Sequence, residues 1–404
     1  MTTMLADAAA NPFGMADRRF AHDLHDDLIE GARALRPLLE RFAAQNEASG
    51  RVADEVIKAV GATGAFSMAV PRRWGGLGAS SRTMALYCAE IGKGCPSTAW
   101  VVSILNSTAW IGSKTSEPMQ RKIFGNEIGK ICGPQVGGGK LVQHGGQHLV
   151  TGKWTYASAC YHADWGLVPA TGEDGEVKLV LLPMRDVKIE HSWDVSGMRG
   201  TGSETLVAAD VRVGSDQFCN KSVLGEITQG GSEPSDFWQS IPVLRAKALG
   251  VLVGTVQGLF DCVVRGKDKP YIYVTGYPRR CDSPVYQAAV GEIACKIAAA
   301  QLLLEETTGL ADQAAENQRQ LDMVERSMIG AKAGLVTELL SHCTDRLMDL
   351  SGSSGFADVN AAQRYWRDYH MGSRHIIFNR DLAYEVLGQR LLGFEDMIVP
   401  PERV

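Results

Sequence analysis

Apolar residues recur at near-helical spacing through the first part of the chain. Between His22 and about Phe124, the positions Ile29, Leu35, Leu39 and Phe42 predict amphipathic helices. The segment Pro71-Arg-Arg-Trp-Gly-Gly-Leu-Gly78 punctuates them with turn residues. From Ile131 to about Gly214 the texture changes. Short apolar runs such as Lys178-Leu-Val-Leu-Leu-Pro183 and Thr205-Leu-Val-Ala-Ala-Asp-Val-Arg-Val213 stand between glycines, as strands do between turns. A polar stretch rich in Gly and Ser, Gly225 to Ser235, then marks a boundary, after which helical periodicity persists to the end. There Ala289, Ile293, Ile297, Ala300 and Leu304 form one apolar stripe. Met328, Ala331, Leu335, Leu339, Cys343, Leu347 and Leu350 form another, ended by Gly352 and Gly355. Long amphipathic helices of this kind pack as a bundle.

The pattern therefore predicts a mainly α protein with an inserted β domain. Its parts are a loose leader over 1–20, a helical domain over 21–130, a β domain over 131–225 and a helical bundle over 236–404. Composition narrows the setting. With 45% hydrophobic and 22% charged residues, and no run of ~18 apolar residues, the chain reads as globular and not membrane-spanning. A net charge of -5 with interspersed signs offers no field for a phosphate backbone, so no nucleic-acid partner is expected. The nine cysteines are scattered singly from Cys88 to Cys343 without a CxxC pair, which argues against a disulfide framework and a zinc site. The N-terminus lacks the apolar core of a secretory signal, so the expected location is cytoplasmic.

Four segments carry a resemblance. They are Val70-Pro-Arg-Arg-Trp-Gly-Gly-Leu-Gly78, Val150-Thr-Gly-Lys-Trp-Thr-Tyr-Ala-Ser-Ala159, Gly197-Met-Arg-Gly-Thr-Gly-Ser203 and Arg364-Tyr-Trp-Arg-Asp368. In this order they resemble landmarks of the acyl-CoA dehydrogenase superfamily, which implies an N-terminal helical domain, a middle β-barrel-like domain and a C-terminal four-helix bundle. Cys95-Pro-Ser-Thr-Ala-Trp100, the Arg-Gly-Thr-Gly-Ser turn and His375 after Arg367-Asp368 are similar to the branch of two-component flavin monooxygenases. That branch includes the oxygenase of p-hydroxyphenylacetate hydroxylase, dibenzothiophene monooxygenase and naphthocyclinone-type hydroxylases.

The resemblance implies an oxygenase component that takes reduced FMN, or reduced FAD, from a separate NAD(P)H:flavin reductase. It would use O2 through a C4a-hydroperoxyflavin to hydroxylate an aromatic or polyketide-like substrate, as a homotetramer. Two departures weigh against the rival reading, an acyl-CoA dehydrogenase or oxidase with tightly held FAD. Its α-proton base, a glutamate, is expected near Ile376, which cannot abstract a proton. Its pyrophosphate-binding arginine falls near Gly276, in Gly276-Tyr-Pro-Arg-Arg280. A catalytically silent scaffold of the same fold is the remaining alternative.

The same resemblance assigns residues. Ser158 faces the flavin N5 edge, where a hydroxyl can donate or accept; its plainer role would be to satisfy a strand-end backbone group. Trp154 and Tyr156 alternate with Ser158 and so share a face with it, and Trp154 equally suits a β-domain core. Gln135, Arg199 and Ser203 complete that cofactor set, with Arg199 alternatively tying the β domain to the bundle. Arg279 and Arg280 would meet a flavin phosphate. His375 is the base that activates a phenol, or a hydrogen-bond donor to the oxygen, with His370 behind it. Asn106, Thr108 and Trp110 would line the substrate pocket, Thr108 standing where relatives carry a histidine. Gly137-Gly-Gly139 lacks the Gly-Lys-Ser/Thr ending of a phosphate loop and reads as a β-domain loop near the flavin.

Overall fold

The computed structural model describes residues 25–225, 231–270, 275–394 and 398–404. The leader over 1–20 and part of the Gly225–Ser235 stretch lie outside them. Helices come first: α1 (Asp26–Ala34), α2 (Arg36–Ser49), α3 (Asp54–Ala62), α4 (Ser81–Gly94), α5 (Pro96–Ser113) and α6 (Glu117–Phe124). Local chemistry sets their starts. Ser80 caps α4 by accepting from the Thr83 N–H, and Pro96 opens α5 at a position where a missing N–H costs nothing.

Eight strands follow, β1 (Ile131–Cys132), β2 (Val136–His144), β3 (Gln147–Ala157), β4 (Trp165–Gly172), β5 (Val177–Pro183), β6 (Lys188–Glu190), β7 (Glu204–Val213) and β8 (Phe218–Asn220). They form one sheet in the order β6-β7-β3-β2-β4-β5-β8, with β1 parallel to β4. Its interior is a separate core built on Trp154, Val168, Val180, Leu182 and Leu206. Gly137-Gly-Gly139 opens β2 and pairs with β3 rather than forming a loop. Packing requires two of the three: a Cβ on Gly137 would stand 2.3 Å from the Lys153 carbonyl oxygen, and one on Gly139 2.6 Å from the Trp154 indole that lies across the strand.

The chain ends in three long helices, α7 (Ser240–Arg265), α8 (Pro284–Glu316) and α9 (Met323–Ser351), and two short ones, α10 (Ala361–Gly372) and α11 (Arg380–Leu391). The stripe Ala289, Ile293, Ile297, Ala300 and Leu304 is buried throughout; burying each of the larger aliphatic side chains stabilises the fold by ~1.5–3 kcal/mol. The α9 stripe is displaced from the sequence expectation. The side that faces inward carries Ile329, Ala333, Val336, Leu340, Cys343 and Leu347, while Leu335 is 38% exposed. The reason is that α9 packs against α7, α8, α10 and α11 together, so the centre of its buried arc is set by several neighbours rather than by its own apolar maximum.

The core helix α7 lies against α4 at backbone distance. A Cβ on Gly250 or Gly254 would fall 2.1 or 2.0 Å from the carbonyls of Ala85 and Ala89. Two buried polar links join α8 to α4: Arg82 pairs with Glu305 at 2.7 Å, and Asp312 accepts from the N–H groups of Ser81 and Arg82 at the α4 N-terminus. Helices α7 and α8 are each long and apolar enough to cross a bilayer by length and composition. The first is nearly all buried in the protein; the second buries one stripe and leaves Val285 and Leu302 exposed.

Candidate active site

The landmark segments are junctions. Arg73, in the Pro71 turn, holds the buried Asp236 at the entrance to the bundle through two bonds of 3.1 Å. Asp368 of α10 accepts from the Met198 N–H at 2.5 Å, docking the Gly197–Ser203 turn on the bundle. Burial pushes the Asp368 carboxyl up to about 7, against the opposing effect of that hydrogen bond. Arg367 pairs with Glu47 of α2 at 2.5 Å and also donates to the Ser196 carbonyl. Helical domain, sheet and bundle therefore meet at Met198.

Met198 itself has left-handed backbone (φ 55°), and its side chain reaches Gly372, where a Cβ would lie 3.0 Å from the methionine methyl and 3.9 Å from Trp100. On one side of it runs a chain of hydroxyls. Thr201 donates to the Met198 carbonyl at 2.8 Å, Thr201 and Ser203 share a hydrogen bond of 2.7 Å, and Ser203 and Ser158 share another of 2.7 Å. Thr201 and Ser203 are buried; Ser158 is partly exposed.

His375 packs on Trp100, with ring centroids 5.4 Å apart. It lies in the turn between α10 and α11, where its Nδ1 accepts from the Ile377 N–H at 3.4 Å. That contact leaves the proton of the neutral ring on Nε2. His375 is an exposed residue, yet the protein packed around it lowers its pKa by desolvation, so the neutral form prevails at pH 7. Behind the turn, the buried Arg245 donates its Nε to the Ile377 carbonyl at 2.9 Å. Ile376 is 79% exposed, and its side chain provides no carboxylate at the place of a dehydrogenase base.

Other expected site residues are committed elsewhere. The amide of Asn106 donates to the Ala65 and Val102 carbonyls and accepts from the Ala69 N–H, stapling the first domain internally. Thr108 spends its proton on backbone carbonyls, that of Ile131 among them, and joins α5 to β1. Trp110 is buried, donates to the Ser235 carbonyl and packs on Trp238. None of the three has a polar atom left to orient a substrate through a donated proton. Trp100, one residue type on the same helix, is the aromatic that faces His375. His370 is held between Asp345 at 3.1 Å and Arg374 at 3.2 Å on the α9–α10 surface.

The cofactor set divides similarly. Strict alternation fails at the end of β3, because Tyr156 has φ 60° and the pairing with β7 shifts between Trp154 and Ala157. Trp154 therefore points into the sheet core, donating to the Pro169 carbonyl at 2.8 Å, while Tyr156 is 58% exposed and packs edge-on against Trp193. Gln135 is exposed in the loop before β2. Arg199 ties the turn to the Glu47 and Val195 carbonyls, so it binds the β domain to the first helical domain rather than to the bundle. Arg280 donates to the Leu350 and Ser351 carbonyls at the end of α9, and Arg279 pairs with Asp282 at 2.7 Å. Sequence reasoning missed Thr201 and Met198 as individual residues; their signal was the Met-Arg-Gly-Thr-Gly-Ser turn read as a motif. Among the described residues no group of three or more His, Cys, Asp or Glu is placed to hold a metal ion.

Comparisons with known proteins agree with this geometry. Residues 27–126 match the model of the acyl-CoA dehydrogenase N-terminal domain, and residues 244–380 match that of the acyl-CoA dehydrogenase C-terminal domain. The chain belongs to the acyl-CoA dehydrogenase family. It is 28% identical, over 89% of its length and 97% of the relative's, to the flavin-dependent monooxygenase oxygenase subunit HsaA of Rhodococcus jostii. It is 26% identical to the FADH(2)-dependent resorcinol hydroxylase oxygenase component of Rhizobium sp., over 92% and 95% of the two chains. Among solved structures, XiaF from Streptomyces sp. in complex with FADH2 and glycerol superposes with a TM-score of 0.88 at 26% identity, covering 99% of this chain and 100% of that one. The Rhodococcus relative is named a flavin-dependent monooxygenase and the Rhizobium relative a hydroxylase, and both are oxygenase subunits or components.

The chemistry of the residues present is compatible with a flavin: the partly exposed Ser158 hydroxyl could exchange a hydrogen bond with its reactive edge, and Trp100 with His375 could offer an aromatic surface and a neutral imidazole.

Proposed function

We propose that the protein is the oxygenase component of a two-component flavin monooxygenase. It accepts reduced FMN or reduced FAD from a separate NAD(P)H:flavin reductase and hydroxylates an aromatic or polyketide-like substrate with O2. The observation that carries this reading is a neutral His375 packed on Trp100, in a chain with Ile376 where the resemblance expects the dehydrogenase base.

When bound, the reduced flavin supplies the activation of O2. The chain's own residues do the rest. Ser158 would hold the flavin by a hydrogen bond to its N5 edge. His375, neutral at pH 7, either takes the proton of a substrate hydroxyl or donates from Nε2; the Ile377 contact at Nδ1 favours donation. Trp100 and Met198 keep water from the reacting region. Tyr156 and Gln135, both exposed beside β3 and β2, are the remaining candidates for flavin contact. The homotetramer follows from the family resemblance, and the exposed Leu302 of α8 is the residue with which to test an interface there. A cytoplasmic location accords with nine free cysteines.

Anaerobic titration of the purified protein with reduced flavin, followed by O2 and a panel of phenols, tests the reading. Tight binding of reduced flavin and hydroxylated product are expected. A yellow protein that retains FAD and reduces a dye with acyl-CoA overturns it.

A further inference from the structure

The hydroxyl chain behind Ser158 has a fixed direction. The Met198 carbonyl can only accept, and it stands 2.8 Å from Thr201 Oγ1. Two oxygens at that distance repel unless a proton lies between them, so the single Thr201 proton is directed to the carbonyl. Thr201 can then only accept from Ser203 across their 2.7 Å contact. The Ser203 proton being used in this way, Ser203 can only accept from Ser158 across the next 2.7 Å contact. Ser158 is left with its proton turned inward and its lone pairs outward, and it is the only partly exposed member of the three.

We propose that Thr201, through Ser203, holds Ser158 as a hydrogen-bond acceptor and thereby makes the site selective for a flavin that carries a proton on N5. This rests on the flavin reading above. A reduced flavin has an N5–H that can donate to Ser158. An oxidised flavin presents a bare N5 lone pair, which would face another lone pair. The chain thus discriminates the redox states of its cofactor by proton direction: the arriving form is held and the spent form is released. Thr201 is a positioning residue here, two hydrogen bonds removed from the flavin.

The test is the ratio of dissociation constants for oxidised and reduced flavin, measured anaerobically with FMN and with FAD. The wild-type protein is expected to bind the reduced form about tenfold or more tightly, the scale of one hydrogen bond gained and one repulsion avoided. Thr201→Val keeps the shape and removes the hydroxyl. Ser203 can then turn its proton to Ser158, which turns its own outward, and the ratio is expected to fall about tenfold, chiefly by tighter binding of oxidised flavin. Thr201→Ser restores the hydroxyl and should restore the ratio. Ser203→Ala frees the Ser158 proton directly and serves should the valine variant fail to fold. An unchanged ratio in a folded Thr201→Val or Ser203→Ala variant, or an equal fall in Thr201→Ser, overturns the proposal while leaving the flavin site intact. If the wild-type protein binds neither redox form, the flavin reading itself fails.

Discussion

His375 and Lys247 show how the surrounding protein sets the chemistry of single residues. For His375, desolvation lowers the pKa, so the ring loses its proton below the ordinary imidazole value of ~6.5. Turnover that needs the neutral ring is therefore retained above that value and lost as pH falls through the lowered one. His375→Asn is expected to reduce hydroxylation about a hundredfold or more without weakening reduced-flavin binding; unchanged turnover, or the same acid limb in the variant, would remove His375 from the reaction. Lys247 is fully buried on α7, its Nζ without a hydrogen bond and its pKa lowered to about 7 by burial. The unfolded lysine titrates near ~10.4, so between these values the unfolded state binds more protons and stability rises with pH by up to ~1.4 kcal/mol per unit. Lys247→Met should abolish that rise and stabilise the protein most at and below pH 7. Urea unfolding at pH 7 and pH 9.5 compares the two proteins.

Elements are joined here mainly through their ends. The α4 N-terminus is capped by Asp312 from α8, and the carbonyls at the end of α9 are satisfied by Arg280 from the segment before α8. Arg280→Ala should destabilise the protein by about 1–2 kcal/mol, from two lost bonds to helix-end carbonyls, and leave reduced-flavin affinity unchanged. A loss of flavin affinity without loss of stability would instead return Arg280 to the phosphate. The end of β3 matters in another way. A regular strand would put Trp154, Tyr156 and Ser158 on one face, but the left-handed turns at Tyr156 and Ala159 turn Tyr156 outward while Ser158 meets Ser203. The stretch reads as a simple alternation in sequence, and only pairing with β7 reveals the bulge.

For the whole molecule, the outer face of α8 is the feature a single chain leaves unexplained. Leu302 is 53% exposed, on the side of the helix opposite its fully packed stripe. Leu302→Asp should shift the assembly to smaller species in light scattering during gel filtration, with monomer secondary structure preserved by circular dichroism. If the mass is unchanged, this face is not a subunit interface.

By itself the sequence determined the order of helices, strands and helices and the inward stripe of α8, because these depend on periodicity and on turn residues that act locally, and the family was legible as a resemblance in four ordered segments. It also marked His375 and Ser158 through short motifs. Tertiary structure decided the partners. Asn106, Thr108 and Trp110 have the chemistry of pocket residues, yet the Ala65, Ile131 and Ser235 carbonyls, distant in sequence, consume their protons. Trp100 gained its place against His375 by the same kind of long-range packing. The hydroxyl chain is likewise a tertiary feature, since it begins at the carbonyl of Met198, whose own N–H is held by Asp368 across the junction of turn and bundle. A sequence specifies which groups can donate and accept; the fold specifies to whom.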